Sequence, residues 1–398
     1  MTLQNITGSD AAASLPRDPE TDHGDLPAWA EWSPSRPYTV GIEEEVMVPD
    51  PADWSLAPRS DHILPRLTPS LSAHLTAETH EAALELATSP HDNPEQTAAE
   101  AGALRAALAT EMSMHGLRVA CAGTHPFAVW TETQVSSAAR YQLVYESMRE
   151  LARREPTFAL HVHVGVADPD SAIVLQNRLR AHLPLLLALS ANSPFWQGRD
   201  TGLASTRVPI FQAFPRVGIP RVFQTYEQYV EAVDKLLRCD AIPEPTFLWW
   251  DVRPQPRFGT IEVRVMDAQC TAAQTGALTA LVQTIAHLEL EAGYADERLI
   301  DAFEVLQENR FLASRDGMDA SFIDPVAERR VPARELLEKL LLAARPHAQE
   351  LGCESALEFV GELARENGAA HQRRLAGRGE WRGLIAQLAD EFAAPVAF

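Results

Sequence analysis

Seven residues of the kinds that bind metals or phosphate sit at alternate positions in four short stretches of this 398-residue chain. Glu43 and Glu45 lie in 40–48, Glu85 in 82–87, His161 and His163 in 158–166, and Glu262 and Arg264 in 258–265. The intervening positions are apolar: Val40, Ile42 and Val46; Leu84 and Leu86; Leu160, Val162 and Val164; Ile261, Val263 and Val265. Side chains alternate across a β-strand, so each stretch predicts a strand with one apolar and one polar face. A half-solvated antiparallel sheet accounts for any one of them. It accounts less well for the set, because the polar positions are metal-ligand types with Gly and Ala as neighbours rather than Lys, Thr and Gln. Residues i and i+2 stand roughly 6.5–7 Å apart, near enough for two carboxylates to serve one cation or two adjacent ones. Hard cations favour carboxylate oxygen and bridge to substrate phosphates. Histidine beside glutamate also suits zinc, but no His-Glu-x-x-His helix accompanies it. Glu44 is the one charge on an apolar face and predicts either a sheet edge or an arginine partner.

Basic residues narrow the chemistry. Only Lys235 and Lys339 are lysines, and neither follows a glycine run or sits in a Schiff-base setting, so a Walker-type loop is excluded and phosphate must be handled by metals and arginines. Arg199, Arg207, Arg216 and Arg221 cluster in 190–221, a long loop-like segment of the kind that is usually functional. Arg253 and Arg257 precede the last polar-faced strand, and guanidinium groups pair with phosphate or carboxylate through two hydrogen bonds. The formal charge, from 34 basic and 55 acidic residues, is −21, which opposes nucleic-acid or anionic-membrane binding. Four scattered cysteines, no secretory signal and no long apolar stretch predict a reduced, cytoplasmic protein.

The elements that must position these residues follow from periodicity. Residues 1–35 read as a flexible leader and 36–398 as a single catalytic domain. Helices are expected at 94–116, 136–154, 168–189 with a kink at Pro184, 225–238, 271–292, 333–350 and 355–370, with a further strand at 117–122.

Six runs resemble the bacterial carboxylate–amine ligase family, also called type 2 glutamate–cysteine ligase-like. They are Gly41-Ile42-Glu43-Glu44-Glu45, Ala122-Gly123-Thr124-His125-Pro126-Phe127, His161-Val162-His163-Val164-Gly165, Asn192-Ser193-Pro194-Phe195-Trp196-Gln197-Gly198, Trp249-Trp250-Asp251-Val252-Arg253-Pro254 and Phe258-Gly259-Thr260-Ile261-Glu262-Val263-Arg264. The resemblance implies an α+β, glutamine synthetase-like fold: a curved antiparallel sheet forming a funnel, helices on its outer face and a helical C-terminal region. It implies ATP with magnesium or manganese, an acyl phosphate on a carboxylate such as glutamate's, and attack by an amine. Glu43, Glu45, Glu85, His161 and Glu262 would hold metal, and His163 would face the nucleotide phosphates. Arg264 and Arg207 would hold the acyl phosphate or the acidic substrate, with Arg207, Arg253 and Arg257 on the nucleotide side. Partners would be small molecules, with self-association left open. Many relatives carry glutamine where this chain has Ala83, which removes a polar contact to substrate. A guanidino-kinase-like phosphotransferase, a specialised biosynthetic amide ligase and a non-catalytic relative stay open as alternatives. Because the polar faces are not expected to be core, Glu43→Gln and Glu262→Gln are expected to spare the fold.

Overall fold

The computed structural model describes residues 26–398 other than 155 and 378. Its centre is a six-stranded antiparallel sheet of β1 (Val40–Met47), β2 (Leu75–Ala77), β3 (Ala83–Ala87), β4 (Ala159–Gly165), β5 (Val252–Gln255) and β6 (Thr260–Asp267), in the order β2-β3-β1-β4-β6-β5. The expected α+β architecture is present. Register places Glu45 opposite Glu85, Glu43 opposite His161, and Glu262 opposite both His163 and Arg253. Since opposed residues share a face, one face carries the whole polar set.

The other face carries Val40, Ile42, Leu160, Val162, Val164, Ile261, Val263 and Val265, all nearly inaccessible. The principal helices are α1 (Pro94–Met114), α2 (Ala139–Met148), α3 (Pro169–Leu179), α4 (Leu183–Ser190), α5 (Tyr226–Arg238), α6 (Ala272–Ala292), α7 (Phe303–Asp316), α8 (Ala333–Leu351) and α9 (Trp381–Phe392). Residues of α3, α4 and α6 join the apolar strand residues in one core. Each fully buried Leu, Ile or Val contributes about 1.5–3 kcal/mol. Local signals start these helices where they are needed: Asn93 caps α1 before Pro94, Asp168 caps α3 before Pro169, and Thr271 with Gln274 forms a capping box on α6.

Glu44 finds its partner in the interior rather than at an edge. β1 is an inner strand, and Arg105 of α1 grips Glu44 with Nε at 2.9 Å and Nη2 at 2.6 Å, both side chains wholly inaccessible. Thr275 Oγ1 donates to the same carboxylate at 2.5 Å.

Several expected elements differ. Residues 117–122 make only the bridge Met47–Ala120, because β4 already occupies the edge of β1 from Val40 to Glu44. The 168–189 helix is broken into α3 and α4, with Pro184 opening the second, since its ring and missing N–H suit the first turn and not the middle. The 136–154 stretch ends α2 at Met148, and Arg149, at φ 54°, separates it from Glu150–Arg153. The 355–370 stretch splits into Glu354–Glu358, Val360–Arg365 and Gly368–Ala376. An additional hairpin pairs Ser321–Asp324 with Arg329–Pro332.

The leader assignment for residues 1–25 lies outside the described residues. Residues 26–35 lie against the fold: Trp32 Nε1 donates to Val166 O at 3.3 Å, and Tyr226 Oη donates to Ala30 O at 2.7 Å. This segment also explains two glycines. A Cβ on Gly259 would strike the backbone of Ser33, and one on Gly165 would strike Arg36. At these two positions the small side chain makes room for the chain's own strap, not for a ligand.

Candidate active site

The polar face is buried despite its composition. Glu43, Glu85, His161 and Glu262 are 8%, 4%, 2% and 1% exposed. The layer above it includes an aromatic cluster in which Phe214, Tyr226, Tyr229, Phe247 and Trp249 pack with Ala30 and residues of α2. These faces are therefore a second interior, contrary to the sequence expectation.

Within it, ligand-type atoms form two groups, each with all atoms within 4.8 Å of one another: Glu43, His163 and Glu262, and Glu43, Glu85 and His161. Glu43 belongs to both. Its Oε2 stands 3.3 Å from His161 Nδ1, and its Oε1 stands 3.5 Å from His163 Nε2. Glu45 Oε1 lies 3.9 Å from His161 Nε2, while its Oε2 accepts from Ala159 N at 2.6 Å. Thr76 Oγ1 donates to Glu85 at 3.2 Å. His163 Nδ1 meets Thr260 Oγ1 at 3.0 Å, and His163 contributes a ring nitrogen to the first group.

The two groups differ electrostatically. Burial alone would raise Glu262, but Arg253, Arg264 and His163 outweigh it and hold the carboxyl well below its ordinary range. Glu43 is likewise held low against burial by His163 and His161. On the other side, burial and then Glu78 push Glu45 up to about 7. Burial, with Glu43, Glu78 and Glu45 nearby, pushes Glu85 well above the carboxylate range. Burial and Arg264 push His161 down to about 3, leaving a neutral imidazole with a lone pair. The ring nitrogens His161 Nε2 and His163 Nε2 are buried without a hydrogen-bond partner. Crowded carboxylates with an excess of negative charge, beside neutral imidazole nitrogen, are the donor set that a divalent cation fits.

The arginines are mostly committed to the protein. Arg253 Nε donates to Glu262 at 2.7 Å, and its Nη1 donates to Thr246 O and Leu248 O at 2.8 and 2.6 Å. Arg264 pairs closely with Glu262 and stands 3.4 Å from His161 Nδ1. A bulge between Val263 and Met266 sets its position, a device that re-aims side chains at sites. Arg207 is buried and donates to Val265 O and Arg264 O, each at 3.2 Å. Arg257 lies over the Phe258 ring at 5.7 Å. Of the other loop arginines, Arg216 covers Trp249, Arg221 covers Phe223, and Arg199 is exposed.

Cavities open beside both groups. One of about 380 Å³ is lined by Trp29, Tyr229, Arg253, Arg257, Phe258 and Glu43. An adjoining one of about 140 Å³ reaches Gly41, His163 and Thr260. A third, of about 80 Å³, lies at Glu45, Glu85, His161 and Arg264, with Glu78, Arg140, Tyr141, Phe211, Phe214 and Trp249 around it. Sequence reasoning missed this last set. Glu78 follows β2, whose three residues are too few to show alternation. Ala83 is not among its lining residues and packs opposite Met47.

A family model described as Glutamate-cysteine ligase family 2 (GCS2) matches residues 39–391. The chain belongs to that family. It is 41% identical over 337 residues to the Rubrobacter xylanophilus protein named "Putative glutamate--cysteine ligase 2-1", covering 85% of this chain and 89% of that one. A Thermobifida fusca protein, "Putative glutamate--cysteine ligase 2", is 36% identical, covering 92% and 93%. Among solved structures, the fold is similar to that of a glutamate–cysteine ligase from Francisella tularensis in complex with AMP. That match has a TM-score of 0.64 at 13% identity and covers 91% of this chain and 90% of that one. It is also similar to a bifunctional glutathione synthetase from Pasteurella multocida, with a TM-score of 0.67 at 15% identity, covering 89% and 52%. As a family member the chain is an ATP-dependent carbon–nitrogen ligase. No helix among the described residues is long and apolar enough to cross a membrane.

Proposed function

We propose that residues 36–398 work as one catalytic unit that phosphorylates a carboxylate with ATP and transfers the acyl group to an amine, forming an amide and releasing ADP and phosphate. The observation that carries this reading is the sharing of Glu43 between two ligand groups, each with residues lining a separate cavity.

In this reading the larger cavity takes the nucleotide, with Trp29, Tyr229 and Phe258 offering ring surface and Arg257 a cation. Glu43, Glu262 and His163 form one cation seat, and Glu43, Glu85 and His161, with Glu45 beside them, form the other. Magnesium or manganese there would neutralise the phosphates and the charge that develops on transfer. Arg264, held by Glu262 and 3.4 Å from His161 Nδ1, lines the third cavity together with Arg140 and Arg253; it orients the acyl phosphate. Arg207 braces the backbone that carries Arg264. The amine enters the third cavity, where Glu45 and Glu78 attract its ammonium form. Glu45, poised near neutrality, takes the proton that the nitrogen must lose before it attacks the acyl carbon. The aromatic wall of Phe211, Phe214 and Trp249 excludes water that would hydrolyse the acyl phosphate.

The test is ADP and phosphate release with ATP and magnesium against a panel of carboxylates and amines, with hydroxylamine as a small neutral nucleophile. A ligase gives a hydroxamate with its carboxylate substrate. A stable phosphorylated product without free phosphate would reject the ligation step.

A further inference from the structure

A second ligand-type cluster lies outside the sheet, between two helices. His287 on α6 and His347 on α8 face each other with their Nδ1 atoms 2.7 Å apart. Glu350, one turn beyond His347, brings Oε2 to 3.6 Å from His287 Nε2. One ring nitrogen of each histidine and one Glu350 oxygen lie within 4.8 Å of one another.

We propose that His287, His347 and Glu350 form a binding site for a borderline transition ion such as zinc, separate from the catalytic cations. Two imidazoles and one carboxylate are a recurrent zinc donor set, usually with water as the fourth ligand. The two helices supply the donors in a fixed frame, because both contribute buried residues to one core, including Leu288 of α6 and Ala344 and Ala348 of α8. His287 turns Nδ1 to His347 and Nε2 to Glu350, so one ion requires its ring to rotate until a single nitrogen serves, opening the 2.7 Å approach to the roughly 3.3 Å that separates nitrogens on a tetrahedral ion with bonds of about 2.05 Å. The His287 side chain is 13% exposed, His347 is half-buried and the Glu350 side chain is 68% exposed, so the carboxylate side is open for entry and for water. Imidazole nitrogen selects zinc, nickel or copper over magnesium, so the cellular magnesium that serves the sheet would not fill this site.

The site also touches the base of the catalytic sheet. The Tyr38 ring packs on His287 with centroids 4.5 Å apart, and its hydroxyl donates to Glu291, one turn along α6, at 3.1 Å. Two residues later β1 begins and leads to Glu43 and Glu45. An ion at His287 would clamp α6 to α8 where the strap enters the sheet.

The experiment is equilibrium dialysis of the full chain against zinc under saturating magnesium, in a Glu43→Gln background that disables both sheet seats. One further zinc per chain is expected relative to Glu43→Gln/His347→Ala, with a zinc-dependent rise in Tm that the second variant lacks. Glu350→Gln, at an exposed position that leaves folding intact, is expected to weaken zinc at least tenfold. Equal zinc in the two backgrounds, or unchanged affinity in Glu350→Gln, would overturn the proposal.

Discussion

Glu43 and Glu44 are neighbours on one strand, both buried, and they point to opposite interiors. Glu44 faces the apolar core and is fully answered: Arg105 holds both oxygens, Thr275 donates to one, and Arg105 also donates to Cys270 O and Gln269 O at 3.1 Å each. Glu43 faces a pocket where carboxylates outnumber their counterions on one side, and where ring nitrogens stand without partners. The first arrangement is closed and needs nothing more. The second is incomplete in charge and donors, as expected of a surface built to bind something. The same residue type one position apart thus separates scaffold from site.

The largest effect should come from the site side. Glu43→Gln removes the ligand shared by both groups, and ATP turnover measured as ADP release should fall on the order of 10³-fold, about 4 kcal/mol of transition-state stabilisation. Its Tm should fall modestly, because His163 and His161 hold the Glu43 carboxyl well below its ordinary range and that stabilisation is lost with the charge. Full activity in this variant would remove the cations from the sheet. Glu262→Gln is different from what the sequence suggests. Glu262 neutralises both Arg253 and Arg264, so this variant should lose stability as well as turnover.

On the scaffold side, Arg105→Met leaves Glu44 buried and unpaired and should cost about 3–5 kcal/mol in chemical unfolding. The double change Glu44→Leu/Arg105→Met should recover much of that, since two apolar side chains replace a paired charge that was costly to desolvate. Whatever fraction folds should turn over ATP nearly normally. If the double variant were as unstable as the single, the pair would be contributing specific structure rather than charge balance.

Glu45 supplies a pH test of the contrast. Its carboxyl is raised from 4.5 to about 7 in the folded chain by burial and Glu78. A group with a raised folded pKa contributes stability that is complete below the unfolded pKa and lost as pH rises through the folded one. Relative to Glu45→Gln, the metal-free protein should therefore lose a few degrees of Tm between about pH 4.5 and 7, a comparison that cancels the opposite contribution of His161, whose folded value lies near 3. Saturating magnesium should abolish that loss, because the cation favours the ionised form. A metal-free Tm difference from Glu45→Gln that climbs across this window would mean the second group is not short of positive charge.

Strand alternation made the membership of the polar face legible, because period two is a local property and seven residues obeyed it across four strands. What it could not show was that a second layer covers them. That layer is assembled from residues 26–32, α2, α5 and 247–249, whose contacts are long-range and leave no local periodicity. Several residues of the motif runs act as braces. Asp251 is gripped by Arg310 at 2.5 and 3.0 Å, Ser193 Oγ and Asn192 N both donate to Asp267, and His125 Nε2 lies 2.8 Å from Trp54 O. Gly123 is small because a Cβ there would come within 2.6 Å of Asp267. A motif marks a residue as constrained, and only the fold says whether chemistry or packing constrains it.

The smallest expected effect concerns the amine. Ala83 attracts attention in the sequence, yet it packs opposite Met47 and is not a lining residue of the third cavity, whereas Glu78 lines it beside Glu45. Glu78 Oε1 accepts from Thr79 N and Oγ1 at 2.8 Å each, which fixes the side chain, and Tyr141 Oη stands 3.5 Å from Oε2. A carboxylate so held can pair with a substrate ammonium. Glu78→Gln should raise the KM for the amine about tenfold, roughly 1.4 kcal/mol, with kcat and the KM for ATP changed much less. It should also bring the Glu45 titration in the pH–rate profile to lower pH, since Glu78 follows burial among the influences that raise it. Ala83→Gln, by contrast, should alter stability through overpacking and leave the amine KM alone. If the two variants exchanged behaviours, the amine would belong at the Met47 end of the strand, and the third cavity would lose its assignment.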